Sequence, residues 1–524
     1  MIALFYWQRM TEMYPKRGAD SPDVMQFELG RYERAHIPAG PPPKQDPKAR
    51  VLNFGEVFLG YDEEQAVVEA ARCIHCPSPE PCILGCPVHN DIPTAMLLIE
   101  RRRYVDAAMV FRATNNFPEV CGRICPQEIL CEGACTVAGY ERAVNIGKLE
   151  AFCADWQRKH EGFPHYHVAP ATGRRVAVVG SGPAGMAVAE ELVRDGHAIV
   201  VYEEWPKPGG LNVYGIPGFK LAKQILFEKA AWLEQYGVKF ICNTRVGKDI
   251  SMQQLLDEYD AVFLGIGAPI GNKARLPGEN LKGIYQATEF LVRANLPLQD
   301  LPARIRARPE IGKHIAVIGG GDTSMDCVRS SIRLQRQAGI QDGAVTDYYR
   351  RTENEMPGRA EERMHAKQEG VRFEFLVAPV QFIGDQDGHV RELELQRMAL
   401  GAPDASGRRS PQPVEGSNFR VPADIIVLAL GYTPDPTIGD ALPALEKGWK
   451  GLFKVESAFT GATNIPGLYA GGDDVRGADL VVTAVAAGRH AARAMDDYLR
   501  RLDTPLKTPH REMQADLSVA VPTE

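Results

Sequence analysis

Eight of the chain's 11 cysteines fall between Cys73 and Cys135, in two runs of four. The first run is Cys73-x2-Cys76-x5-Cys82-x3-Cys86-Pro87, and the second is Cys121-x3-Cys125-Pro126-x4-Cys131-x3-Cys135. Thiolates in fours, with two Cys-Pro pairs, are the donor set of iron–sulfur clusters, although Cys76 and Cys82 stand further apart than in the bacterial ferredoxin run. Zinc is the rival metal, but its mark is paired C-x2-C knuckles, and only Cys73 and Cys76 have that spacing. His75 and His89 sit among the thiols and read as bystanders. Counted alone, the two runs offer one site each.

Glycine carries the second chemistry. Val176 to Val179 run into Gly180-Ser-Gly182-Pro183-Ala184-Gly185, a helical pattern follows, and the apolar run Ala198 to Tyr202 ends at Glu203. Strand, glycine turn, helix, strand and acid form the dinucleotide fingerprint in its required context. Gly180 makes the turn, Gly182 clears the pyrophosphate, Gly185 lets helix and strand pack, and Glu203 can accept from ribose hydroxyls. A second fingerprint opens at Ile315, with Gly319, Gly321 and Ser324 at the small positions and Asp322 and Thr323 entering the helix. The strand after it ends in Arg350 and Arg351 rather than an acid. Arginine there suits a 2′-phosphate, so NADPH is expected over NADH. The glycines around Gly210-Leu211 (Gly209, Gly210, Gly215 and Gly218) suggest backbone passing close to a flat ligand, with a surface loop as the alternative, and a Gly471-Gly472-Asp473 turn joins a strand to a helix near the C-terminal end.

These residues need elements to hold them. Residues 63–72 and 136–160 read as helices flanking the cysteine runs, with a helical segment of about 30 residues between the runs. The two fingerprints predict two Rossmann-like units, the second inserted into the first, and residues 361–420 read as short strands and turns. The fold class is therefore α/β behind a helical N-terminal iron–sulfur domain. The expected divisions are an arm over 1–50, the cluster domain over 51–170, an FAD domain over 171–298 and 456–502, an NAD(P)H domain over 299–455, and a tail over 503–524.

Composition agrees with a globular protein: 44% hydrophobic and 24% charged residues. A net charge of −7 points away from nucleic acid and anionic membranes as partners. No run reaches the length of a membrane span, and no basic segment precedes the short apolar start, so a cytoplasmic chain is expected. Between residues 174 and 500 only Cys242 and Cys327 occur, too far apart in sequence for a disulfide reductase's C-x-x-C.

The motifs ATNNFPEVCGRICP, GSGPAG with YEE, GGLNVYGIPGFKL, GGGDTSMDCVRSSI, YYRRTENEMPG and GLYAGGDDVRGADLVVTAV carry a family resemblance. The span from about 50 to 500 resembles the small (beta) subunit of NADPH-dependent glutamate synthase. It is also similar to the N-terminal part of dihydropyrimidine dehydrogenase and to the large subunit of NADH-dependent ferredoxin:NADP oxidoreductase. The resemblance implies FAD in the first nucleotide domain, with Glu203 on its ribose and Gly472 and Asp473 near its ribityl and pyrophosphate. It implies NADPH in the second domain, with Arg350 and Arg351 near the 2′-phosphate, and two [4Fe-4S] clusters in the helical domain. It further implies a crossed ligand set, in which Cys73, Cys76 and Cys82 share a cluster with Cys135. Cys86, Cys125 and Cys131 then share the other cluster with Glu150, and Cys121 is spare. The expected activity is electron transfer from NADPH through flavin and clusters to a large catalytic partner subunit. The alternatives are the ferredoxin:NADP oxidoreductase and a non-catalytic iron–sulfur redox module. Since cofactors carry this chemistry, no side chain is nominated as catalytic acid or base.

Overall fold

Capping residues set the helices that surround the cysteines. The computed structural model describes residues 29–403 and 407–503; the arm before residue 29, the centre of the polar insert and the tail from 504 lie outside the described residues. Asp62 and Gln65 form a reciprocal capping box that starts the helix Glu63–Ala70. Asp91 accepts from the Thr94 amide to start Ile92–Glu100, and Pro118 occupies the first turn of Pro118–Ile124. The helix expected over 136–160 begins only at Ile146 and runs to His160, behind a single tight turn at Thr136–Gly139. The Arg72 guanidinium takes the carbonyls of Arg142 and Ala143, while Glu69 accepts from the Asn145 amide. Backbone groups committed to side chains cannot join a helical ladder.

Two parallel sheets follow. The first has the order Leu468–Ala470, Ala261–Leu264, Arg175–Val179, Ala198–Tyr202, Lys239–Ile241. Its three inner strands are nearly continuous apolar runs, as burial between helical layers requires. Helices Pro183–Arg194 and Val481–Arg500 cross closely on one face, where a Cβ on Gly488 would collide with the Ala184 carbonyl. The second sheet has the order Ile284–Gln286, Ile425–Leu428, His314–Ile318, Ala344–Tyr349, Arg372–Phe375, also parallel. A separate antiparallel sheet spans residues 377–422.

Two expectations change here. Ile284–Gln286 pairs with Ile425–Leu428, so the chain enters the second unit before residue 299. On the return, Ile438, Leu445 and Phe453 pack with Val179 and Leu468 of the first unit, ahead of residue 456. A sheet edge is decided by hydrogen bonds to a distant strand, which motif spacing does not report. The stretch expected as strands and turns also contains a helix, Ala360–Gln368. Its inward residues are Glu362, His365 and Ala366, so the helical period is written in polar residues and hydropathy misses it. No described helix is long and apolar enough to cross a membrane.

Candidate functional site

The first fingerprint opens at the C-terminal ends of the parallel strands, where α/β sheets bind ligands. Gly180 has φ +95° and lies against the Gly265 carbonyl, so the turn admits no side chain. A Cβ on Gly185 would collide with the Gly180 carbonyl, whereas one on Gly182 would meet only Gly265 O, at 4.0 Å. Gly182 therefore borders open space at the N-terminus of the helix that begins with Pro183 and Ala184. Gly210, at φ +54°, brings the Leu211 turn onto Gly182, and a Cβ there would stand 2.9 Å from Gly182 Cα. Gly472, at φ +96°, caps the short helix Asp473–Arg476 and faces Ala184. These positions are 180–203, 210–211 and 472–473 in sequence, yet Gly210 abuts Gly182 and Gly472 faces Ala184 at one helix N-terminus.

Glu203 is buried. Its carboxylate accepts from the Ser181 amide (3.0 Å), the Ser181 hydroxyl and the Trp205 amide (2.9 Å), while burial raises its pKa against those bonds. Ser181, masked between two glycines, is the residue that sequence reasoning missed: its hydroxyl also accepts from the Gly209 amide and ties the acid to the Gly210 loop. Burial pushes Asp473 up to about 6. Its neighbour Asp474, not anticipated, is fully buried and accepts from the Ile266 amide at 3.0 Å.

At the second fingerprint, a Cβ on Gly319 would stand 2.8 Å from Ala429 O, but one on Gly321 would meet nothing. Asp322 accepts from the Arg359 amide (2.9 Å), and Thr323 follows it in the first turn of the helix. Ser324 donates to Asp347 on the adjacent strand, and burial holds Asp347 at about 8, that is, protonated at neutral pH. The arginine pair splits. Arg350 is exposed and makes no hydrogen bond or ion pair among the described residues. Arg351 is buried and donates to the Arg409 carbonyl at 2.7 Å, anchoring the antiparallel sheet.

The cysteines gather around two cavities in the helical domain, and the grouping crosses the two runs. Cys73, Cys76, Cys82 and Cys135 line one cavity, with Ile92 and Met96. Cys86, Cys121, Cys125, Cys131 and Glu150 line the other, together with Val482 from the helix packed on the first fingerprint. Among the described residues no three His, Cys, Asp or Glu side chains meet closely enough to hold a single ion between them. Thiols spread over a cavity wall suit a multi-iron cluster, which is larger than one ion. Burial pushes Cys73 and Cys82 up to about 12 and Cys86 to about 11, so these sulfurs ionise only beside a compensating cation such as a cluster. Glu150 is pushed up to about 8 by burial, although the Asn115 and Asn90 amides both donate to its Oε1, at 2.8 and 3.2 Å. Cys121 donates to Asn115 Oδ1 at 3.7 Å, so both candidates for the last ligand position hang on one asparagine.

Comparison with known proteins follows this division. Residues 50–162 match the family described as dihydropyrimidine dehydrogenase domain II, 4Fe-4S cluster. Residues 174–488 match pyridine nucleotide-disulphide oxidoreductase. The glutamate synthase [NADPH] small chain of Halomonas elongata is 41% identical over 87% of this chain and 96% of its own. The putative oxidoreductase AegA of Escherichia coli is 41% identical over 88% of this chain and 70% of its own. Among solved structures, FprA from Mycobacterium tuberculosis in complex with NADPH aligns with a TM-score of 0.52 and 22% identity over 63% of this chain and 85% of that one, a likeness of fold.

Proposed function

The chain belongs to the glutamate synthase small-chain family, and from that premise we propose that it oxidises NADPH and delivers the electrons through FAD and two [4Fe-4S] clusters to a partner protein. The observation that carries this reading is the wall shared by the two halves. Val482 lines the second cavity and belongs to the helix that packs against the first fingerprint, so a cluster there would adjoin the flavin crevice. When bound, flavin accepts a hydride and returns electrons singly to iron–sulfur centres. The chain's own part is positional. Gly180, Gly182, Gly185, Gly210 and Gly472 clear the crevice, Glu203 and Asp473 offer oxygens at its edge, and Gly319, Gly321 and Arg350 receive the second nucleotide.

For the clusters, the reading assigns Cys73, Cys76, Cys82 and Cys135 to the first and Cys86, Cys125, Cys131 and Glu150 to the second, with Cys121 as a spare thiol. A carboxylate is a harder donor than a thiolate and should alter that cluster's potential. Cys121→Ser should then keep about eight irons per chain, and Glu150→Ala should change or remove one electron paramagnetic resonance signal. Halved iron in the first variant with an unchanged signal in the second would reverse the assignment.

The partner is proposed as a large glutamate synthase-type subunit. Anaerobic NADPH should bleach the flavin and elicit cluster signals, and the assembled complex should oxidise NADPH only with glutamine and 2-oxoglutarate. Turnover with NADH and ferredoxin instead would favour the ferredoxin:NADP oxidoreductase reading. A flavin that NADPH leaves oxidised would reduce the chain to a redox module.

A further inference from the structure

The second nucleotide unit is joined to the first by two crossings, Ile270–Gly271 paired antiparallel with Tyr432–Thr433. A two-strand joint of this kind leaves rotation of the inserted unit free unless something else restrains it. Residues 44–58 supply the restraint, since they touch all three units. On the cluster domain, Arg123 donates to both oxygens of Glu56, at 2.8 and 3.2 Å. On the flavin side, Glu56 accepts from the Ala222 amide (2.9 Å), and the Val57 amide donates to Phe219 O (2.9 Å). On the nicotinamide side, Lys44 pairs with Glu361 (2.8 Å), Arg50 pairs with Glu369 (2.7 Å), and Arg333 donates to Asn53 O (3.0 Å).

The same junction is bolted from the flavin loop. Lys220 lies 2.9 Å from Asp326 on the helix of the second fingerprint. Beside it, the Phe219 ring lies under Arg333 and Arg329, at 4.0 and 4.5 Å. The side chains of Arg50, Arg329, Arg333 and Glu369 are each no more than about 1% exposed. Exposed ion pairs open freely, but a buried one that opens strands a charge out of water. The contact is therefore a standing one.

We propose that residues 44–58 are a strap that, with Lys220, holds the nicotinamide unit in its hydride-transfer orientation over the flavin, so that no rotation of that unit precedes each turnover. Arg50 and Lys220 are its positioning residues. The inference rests on the NADPH-to-flavin reading above.

The test uses the holoprotein with flavin and iron loaded. In Arg50→Met, Glu369 keeps Arg329 and Arg333, and Arg50→Lys is the conservative control; Lys220→Met is the second variant. Anaerobic flavin bleaching by NADPH should slow about tenfold or more in both methionine variants, since a shift of about 1 Å costs up to about 100-fold. Reduction by dithionite and the Kd for NADPH should hold, and Arg50→Lys should recover most of the rate. Hydrogen exchange at the joint, read at the Asn272 amide that donates to Gly431 O, should be slow in the native protein, indifferent to NADP+, and faster in the variants. Fully loaded variants that bleach at the native rate would overturn the proposal. So would a native joint that exchanges fast and slows on NADP+, and that measurement decides even if a variant loses its cofactors. If NADPH fails to bleach the native flavin, the functional reading falls, while joint exchange still judges the strap.

Discussion

The two glycine fingerprints solve one packing problem in two ways. Both press a helix onto a strand beneath a turn. In the first, the third small position is Gly185, where any Cβ would meet the Gly180 carbonyl, so closeness comes from absent atoms. In the second, Ser324 fills that position and donates to Asp347 on the neighbouring strand, so closeness comes from a hydrogen bond. Their carboxylates differ accordingly. Glu203 stands at its strand's end and accepts from the Ser181 amide of the turn, while Asp347 lies inside its strand and accepts from the Ser324 hydroxyl of the helix. The same motif can thus tie an acid to its own turn or to the helix that follows.

The comparison breaks most visibly at the positions that border open space. Gly182→Val and Gly321→Val meet little protein, so both should fold. The first should abolish bound FAD and leave NADPH binding intact, and the second the reverse, by flavin content and NADPH titration. Flavin retained by Gly182→Val would mean the crevice is misassigned. At the third position the variants should diverge in stability. Gly185→Ala forces overpacking and should cost about 3 kcal/mol. Ser324→Ala leaves Asp347 short of a partner and should cost about 2 kcal/mol in thermal unfolding, with NADPH binding kept.

The arginine pair sharpens the contrast further. Arg350→Ala should raise KM for NADPH about tenfold, roughly 1.4 kcal/mol, with NADH turnover unchanged. Arg351→Ala should leave cofactor choice alone and instead loosen the sheet held at Arg409. The two carboxylates also differ in what pH does to them. Burial holds Asp347 at about 8 in the fold, whereas the unfolded chain releases that proton near its ordinary value of about 3.9. Stability from this group is therefore whole below about pH 4 and drains away as pH rises toward about 8, because the unfolded state binds fewer protons over that window. Asp347→Asn cannot ionise and should flatten the thermal midpoint between about pH 5 and about pH 8; an unaltered slope would show that other groups carry it.

Much of this was legible before any fold was known. Gly180, Gly182, Gly185 and Glu203, and the cysteine runs with their Cys-Pro pairs, are local patterns whose chemistry follows from residue type and spacing, and the two nucleotide units follow from finding the glycine pattern twice. Tertiary structure decided what depends on residues far apart in sequence. It sent Cys135 to the cavity of Cys73, Cys76 and Cys82, and Cys86 to that of Cys125 and Cys131. It divided Arg350 from Arg351, drew Ile284–Gln286 into the second sheet, and laid residues 44–58 across three units. The physical reason is the same in each case. Spacing along the chain specifies turns and short-range donor sets, whereas a cavity wall, a sheet edge or a buried ion pair exists only once separate segments have given up water to one another.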